Sequence, residues 1–482
     1  MILSGLFHRI LPASLLLFLS ACTVGPDYIR PTPVATMPAT YRELAGWKEA
    51  HPRDGAPVEK WWEIYRDPLL NSLEEQVTVS NLTVAAAEAQ FRQARAAAQG
   101  AKAGYFPTVS VGASASRSQR SGNLGALSGS GGVNSDFLLP LDLTWELDLW
   151  GKIRRQVEAG EAQTQASAAD LAGVALSSQA ELAGDYFLLR TLDAQKQLLD
   201  ATAAVYRKSL ELTNYRYAAG VAARSDILLA ESQLKNTVAQ ALDTGVQRAQ
   251  LEHAIGLLTG KTATDFSLPA MPLPLVTSPP AIPIGLPSEL LERRPDIAGG
   301  ERRMAAANAQ IGVATAAWYP TVKLSASAGL EASSISRWLN WPSRLWAVGP
   351  GISETLFDGG IRRAQNEQLQ AAYDGTVANY RQTVLSGFKE VEDNLAALRI
   401  LEEEARVQSE AVIAAEQSVA IIVNQYKAGT VVYLGVIVLQ SSELASERAA
   451  IDILGRRMTA SVQLVKALGG GWILRQPPPE GR

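Results

Sequence analysis

The chain has 482 residues with 44 Lys and Arg against 48 Asp and Glu, and its formal charge of -4 supplies no electrostatic reason for a nucleic-acid partner. Hydrophobic residues make up 47% and charged ones 19%; this is too apolar for disorder, yet no internal apolar run is long enough to cross a bilayer as a helix, so any crossing must be made of strands. The single cysteine, Cys22, excludes an internal disulfide framework, and His8, His51 and His253 lack triad or metal-ligand spacing, which leaves a hydrolase or a metal centre nothing to build from.

Residues 1–21 combine a weakly basic start (His8, Arg9), an apolar stretch from Leu15 to Leu19 and small residues before Cys22, the pattern of a secretory signal peptide. Leu19-Ser20-Ala21-Cys22 resembles a bacterial lipobox, which implies cleavage before Cys22 and a covalent lipid (diacylglycerol and an N-acyl chain) on it. The alternative is an ordinary signal that happens to end in cysteine. Thr23 stands where an aspartate would hold a lipoprotein in the inner membrane, so delivery to the outer membrane is implied. Acyl chains contribute about 0.8 kcal/mol per buried CH₂, enough for a multiply acylated Cys22 to anchor the chain durably.

An anchor and extended segment is expected at 22–68, followed by two copies of one unit at 69–266 and 288–470, a Pro-rich linker at 267–287 and a tail at 471–482. Tyr105-Phe106-Pro107-Thr108-Val109 recurs at Trp318-Tyr319-Pro320-Thr321-Val322, Leu149-Trp150-Gly151 at Phe357-Asp358-Gly359, and Tyr217-Ala218-Ala219-Gly220 at Tyr426-Lys427-Ala428-Gly429, with offsets of 213, 208 and 209. Within each copy, proline-free stretches rich in Ala, Gln, Glu and Leu predict helices. Val377, Val384, Val391 and Leu398 recur every seven residues, as do Phe388 and Leu395, the spacing of a left-handed coiled coil.

Period two predicts strands at about 105–118, 136–149, 320–331 and 345–357. Between Phe137 and Leu149 the odd positions are apolar, while Asp142, Thr144, Glu146 and Asp148 take even ones. A Ser/Gly-rich loop at 119–135 and a loop near 332–344 bearing Trp338 and Trp341 fit membrane-flanking turns.

Long helices at about 153–217 and 363–427 would each span roughly 100 Å, matched by shorter pairs at about 71–103 plus 225–259 and 288–317 plus 432–468. Four strands cannot enclose a pore and open edges are not tolerated in lipid. Two copies would give an eight-stranded barrel that fills itself, so three copies and twelve strands form the smallest assembly with an aqueous lumen.

Cys22-Thr23-Val24-Gly25-Pro26-Asp27-Tyr28, Trp61-Trp62 with Asp67-Pro68-Leu69-Leu70, both Tyr-Pro-Thr strand starts, Phe357-Asp358-Gly359-Gly360 and both Tyr-x-x-Gly turns together resemble the TolC-like outer-membrane factors, in the lipoprotein branch called OprM/NodT. The resemblance covers essentially the whole mature chain. It implies a mainly α fold with a membrane β part: a homotrimer whose twelve-stranded barrel continues into a periplasmic α-helical barrel. It also implies a lipid-anchored place in the outer membrane, a periplasmic adaptor and an inner-membrane pump of the RND type as partners, and passive conduction of drugs, metals or other small toxic compounds with no enzymatic step. A duct for secreted protein and a pore-free coiled-coil lipoprotein are the alternatives.

The resemblance places the turns at Tyr217, Gly220, Tyr426 and Gly429 at the periplasmic end, either as simple helix stops or as adaptor contacts. Related channels carry an acid and an arginine after the second turn that help close the tunnel; here Val438 and Ser441 stand at those positions, so closure by apolar side chains around Leu434 and Val438 is expected instead. Asp226 is a helix cap or a lumen-facing selectivity residue.

Overall fold

A computed structural model gives the structure of residues 23–33, 40–42, 60–119, 121, 133–275, 277–282 and 293–470. Cys22 lies outside these described residues. Two compact units are formed, one from residues up to Pro31 with Phe91–Ser167 and Gly300–Tyr380, the other from Thr32–Gln90, Ala168–Gly299 and residues from Arg381 on. They do not follow the sequence repeats, because each draws on both copies.

The first unit holds one antiparallel sheet of β1 (Thr108–Val111), β2 (Ser114–Gln119), β3 (Val133–Leu147), β4 (Thr321–Ala332) and β5 (Arg344–Ser353). β1 and β2 both pair with β3, which pairs with β4, which pairs with β5. The strand expected at 105–118 is therefore in two pieces, and proline is the cause. Val111 opposite Leu141 and Ser114 opposite Leu138 keep one register across the gap, and Gly112 donates to the Pro140 carbonyl at 3.0 Å, but Pro140 has no N–H to return. Pairing starts at Thr108 rather than at 105 because the N–H groups of Gly104, Tyr105 and Phe106 turn back to the carbonyls of Ala101, Lys102 and Ala103. At the other end β5 stops at Ser353, short of the expected 357, leaving Leu356 and Phe357 exposed beyond it.

The helices are α1 (Pro68–Ser80), α2 (Leu82–Ala103), α3 (Lys152–Ala218), α4 (Arg224–Leu258), α5 (Pro295–Ala316), α6 (Ile361–Lys427) and α7 (Tyr433–Ala467). The expected helix from 71 to 103 is broken at Asn81, whose Oδ1 accepts from the N–H groups of Thr83 (2.9 Å) and Val84 (3.0 Å) and so caps a new helix. Its Nδ2 donates to the Leu258 carbonyl at 2.9 Å, tying this junction to the end of α4. Asp67 caps α1 in the same way, with Pro68 at the first helical position. α3 and α6 have 67 residues each, and α4 and α7 have 35 each.

In the first unit the segment after Cys22 is strapped down. Val24 donates to the Trp150 carbonyl at 3.2 Å, Asn308 Nδ2 to the Pro26 carbonyl at 3.0 Å, and Asp27 pairs with the buried Arg155 at 2.7 Å. Tyr28 donates to Glu301 Oε1 at 3.1 Å.

The second unit holds the main hydrophobic core. Trp61, Trp62, Leu70 and Val77 pack with Tyr186 and Phe187 of α3, Ile255 of α4, Val391 and Leu395 of α6, and Leu454 and Val462 of α7. The heptad row proposed from sequence is buried at Val384, Val391 and Leu398, with Val377 half-buried. The start of the Pro-rich linker has neither helix nor strand but is pinned: Arg190 donates to the Pro269 carbonyl (2.7 Å), Arg248 to the Leu268 carbonyl (2.7 Å), and Met271 N–H to Asp193 (2.9 Å), itself paired with both arginines.

Glu74 of α1 is fully buried, and neither carboxylate oxygen has a hydrogen-bond partner among the described residues. Burial pushes its carboxyl up to about 9 from 4.5. Below pH 4.5 the acid is protonated folded or unfolded. Between 4.5 and 9 the unfolded chain gains by ionising while the folded one does not, so stability falls as pH rises and levels off above 9. Glu74→Gln is expected to remove this slope, melting like the parent at pH 4.5 and being more stable by roughly 2–4 kcal/mol at pH 7.5; thermal melts at the two pH values check it.

Candidate functional site

The site of a conduit is a surface, and the register of the sheet builds two. Val111, Leu141, Ala328 and Trp346 lie in one row across the strands, and Val109, Leu143, Ala326 and Val348 in the next row on the same face. On the opposite face the rows read Ser110, Asp142, Ser327, Ala347 and Thr108, Thr144, Ser325, Gly349. Alternation within each strand thus becomes one apolar and one polar surface four strands wide. Val111, Leu141, Trp346, Val348 and Ile352 are half to three-quarters exposed, so the described residues leave the apolar face uncovered.

Aromatic side chains mark both ends of this face. Trp150 stacks on Tyr319 with centroids 5.0 Å apart and donates to the Pro320 carbonyl at 2.7 Å, while the Arg362 guanidinium lies 4.9 Å over the Trp318 ring, all where strands give way to helices. Trp338 and Trp341 stand at the loop end, where the sequence placed them, while Trp346 lies within the face in the row of Leu141. From Trp145 to Phe137 the apolar face runs about 27 Å along β3, close to the height of a membrane-spanning apolar band. Among the described residues no helix is long and apolar enough to cross a membrane, and no group of His, Cys, Asp and Glu could hold a metal ion.

The helical turns lie in the second unit. Gly220 and Gly429 have φ of +78° and +79°, the left-handed region. Val221 donates to the Arg216 carbonyl and Gly220 to Tyr217, and Thr430 to Gln425 and Gly429 to Tyr426, all at 2.9–3.0 Å, so both helices close with a Schellman motif. A Cβ on Gly220 would meet nothing within 4 Å, so the backbone angle, not crowding, calls for glycine there.

One side chain joins the two turns, and sequence reasoning missed it. Arg216, in the last turn of α3, donates to the carbonyl of Tyr426 at 2.8 Å, at the end of α6, and its guanidinium sits 4.5 Å over the Tyr426 ring. Tyr426 packs against Tyr433 at 5.3 Å in a small cluster with Ala230 and Val436. Burial, then Tyr426, push the Tyr433 hydroxyl up to about 12, so it stays neutral. In sequence Arg216 looks like a basic residue complementing its own helix dipole; the equal offsets of the two turns were the signal that it reaches a second one.

Asp226 accepts from the Ala223 N–H at 3.3 Å, which is half of a capping box, since the Ala223 methyl has no oxygen to complete it. Leu434 and Val438 are four residues apart on one face of α7, 54% and 58% exposed, while Tyr433 and Val436 on the other face are buried. Further along, α4 and α7 flank a groove of 410 Å³ lined by Gln233, Asn236, Gln240, Ser441 and Arg448 with Tyr206 of α3. On α7, burial and then Glu447 and Glu416 push the Glu443 carboxyl up to about 7.

A sheet apolar on one face, polar on the other and, among the described residues, unclosed at both edges, joined in the same chain to duplicated helical hairpins, defines a membrane channel subunit. The chain belongs to the outer membrane efflux protein family, whose model matches residues 73–261 and 286–470. Solvent efflux pump outer membrane protein SrpC of Pseudomonas putida is 31% identical over 468 residues, covering 97% of this chain and 99% of that protein. Outer membrane protein OprJ of Pseudomonas aeruginosa is 31% identical over 466 residues, covering 95% and 94%. Among solved structures, the outer-membrane channel OprN superposes with a TM-score of 0.87 at 32% identity, over 94% of this chain and 100% of that one. The fold is thus that of the TolC-like outer-membrane channels.

Proposed function

We propose that this chain is the outer-membrane channel subunit of a tripartite efflux system, acting as a homotrimer with a periplasmic adaptor and an inner-membrane pump of the RND type. The observation that carries the reading is the row-by-row alignment of apolar and polar faces across a sheet four strands wide whose two edges are open among the described residues. Lipid demands closure, and three copies give twelve strands around a polar lumen. The pump supplies the energy; this subunit makes and breaks no bond. SrpC is named for solvent efflux, and a polar lumen without a tailored pocket suits small toxic compounds of that kind.

Acylation of Cys22 fits the strap, since Thr23, the next residue in the chain, packs at Gly151 beside the Trp150–Tyr319 stack. The two closed turns, with Tyr217 half-exposed and Gly220 and Gly429 fixed by their φ, are the adaptor contact. Closure is apolar, made where Leu434 and Val438 of three copies meet.

Purified protein is expected to insert into planar bilayers and conduct in discrete steps, which a pore-free coiled-coil lipoprotein would not do. Val438→Asp is expected to raise the leak of the resting channel several-fold; an unchanged leak would exclude apolar closure at this position.

A further inference from the structure

The rim of the sheet at its loop end carries cations that the conduit does not use. Trp338, on the single helical turn Ile335–Trp338, packs 5.8 Å from Phe137 and donates to the Leu330 carbonyl at 3.3 Å. Phe137 belongs to the apolar face, so this turn folds back toward that face. Arg344 opens β5 on the same face, in the row Leu139, Leu330, Arg344, and its guanidinium lies 4.7 Å over the Trp341 ring.

Arg337 donates through Nε to Ser334 Oγ at 3.1 Å. Among the described residues neither arginine has a carboxylate at ion-pair distance. Glu331, the acid nearest in the chain, lies opposite Leu138 on the polar face. Beside Arg344, Trp341 and Trp346 are 77% and 76% exposed. One guanidinium stacked on an indole and a second on the neighbouring turn, at the brink of an apolar surface, suit an amphiphile with acyl chains on one side and phosphate on the other.

We propose that this rim binds the phosphorylated headgroup of an outer-leaflet glycolipid, with its acyl chains along the face below Trp346 and its phosphates taken by Arg337 and Arg344. The inference rests on the outer-membrane channel reading, because the loop end faces the outer leaflet only when the helices lie in the periplasm.

The test uses the full-length detergent-purified protein with three probes: bis-phosphorylated lipid A, the same lipid with its phosphates removed, and inorganic phosphate, with retained lipid read by native mass spectrometry. The parent is expected to retain phosphorylated lipid A; the dephosphorylated form should be lost and inorganic phosphate should not compete. Arg337→Gln with Arg344→Gln should lower retention about tenfold with bilayer conductance unchanged, and the double Lys variant should keep most of it. Equal retention by the Gln variant, or of the dephosphorylated lipid, overturns the proposal, and competition by inorganic phosphate assigns the site to the free ion instead. A parent that retains lipid A but conducts nothing overturns conduction while keeping the outer-membrane orientation on which the lipid site depends.

Discussion

Gly329→Val is expected to abolish the membrane sheet. Gly329 of β4 lies opposite Pro140, and a Cβ there would run into the Leu139 carbonyl oxygen and the Pro140 Cα, atoms of a backbone fixed by pairing on both sides. Neither can yield without breaking the β3–β4 ladder, so the cost exceeds about 4 kcal/mol per chain and is multiplied in a closed assembly. Heat-modifiable migration and bilayer conductance should both be lost, with protein turned over in the periplasm. Gly349→Val is the matched control, since a Cβ on Gly349 meets nothing within 4 Å, and it should assemble normally.

Arg216→Ala is expected to leave assembly intact and loosen the helical turns. The bonds lost are a charge-assisted hydrogen bond to the Tyr426 carbonyl and a cation–π contact with its ring, together about 2–4 kcal/mol where partly buried. An equilibrium between tied and untied turns would shift by roughly 30-fold to 1000-fold at that cost. The measurement is the resting leak in planar bilayers, or uptake of a large antibiotic normally kept out by the outer membrane. Arg216→Lys keeps the charge but not the fork, and should fall between parent and alanine variant.

Period and punctuation made most of the architecture readable. The helix from 153 to 217 is Lys152–Ala218, the one from 225 to 259 is Arg224–Leu258, and the last is Tyr433–Ala467, because glycine turns and strand ends bound them sharply. What period could not show was pairing. The Pro140 notch in the first strand depends on which residue lies opposite, and register is absent from a one-dimensional pattern. The break at Asn81 had a local signal, Asn before Leu-Thr, but the alanine-rich run that follows masked it.

Site residues divide along the same line. Gly220 and Gly429 could be assigned a left-handed backbone because the requirement is local. Arg216 could not be assigned to Tyr426, 210 positions away, since such a bond depends on two turns being brought level. Asp226 turns back to accept from the Ala223 N–H of its own N-terminal turn, a contact that is again local.

The matched helix lengths carry a constraint on change. Because α3 and α6 have 67 residues each and their ends share Arg216, inserting seven residues in one of them alone would carry its turn about 10 Å beyond the other. Length in this chain can therefore drift only in concert, a heptad added to every long helix and its returning partner or to none. Viable chimeras should be those whose splice points preserve that parity.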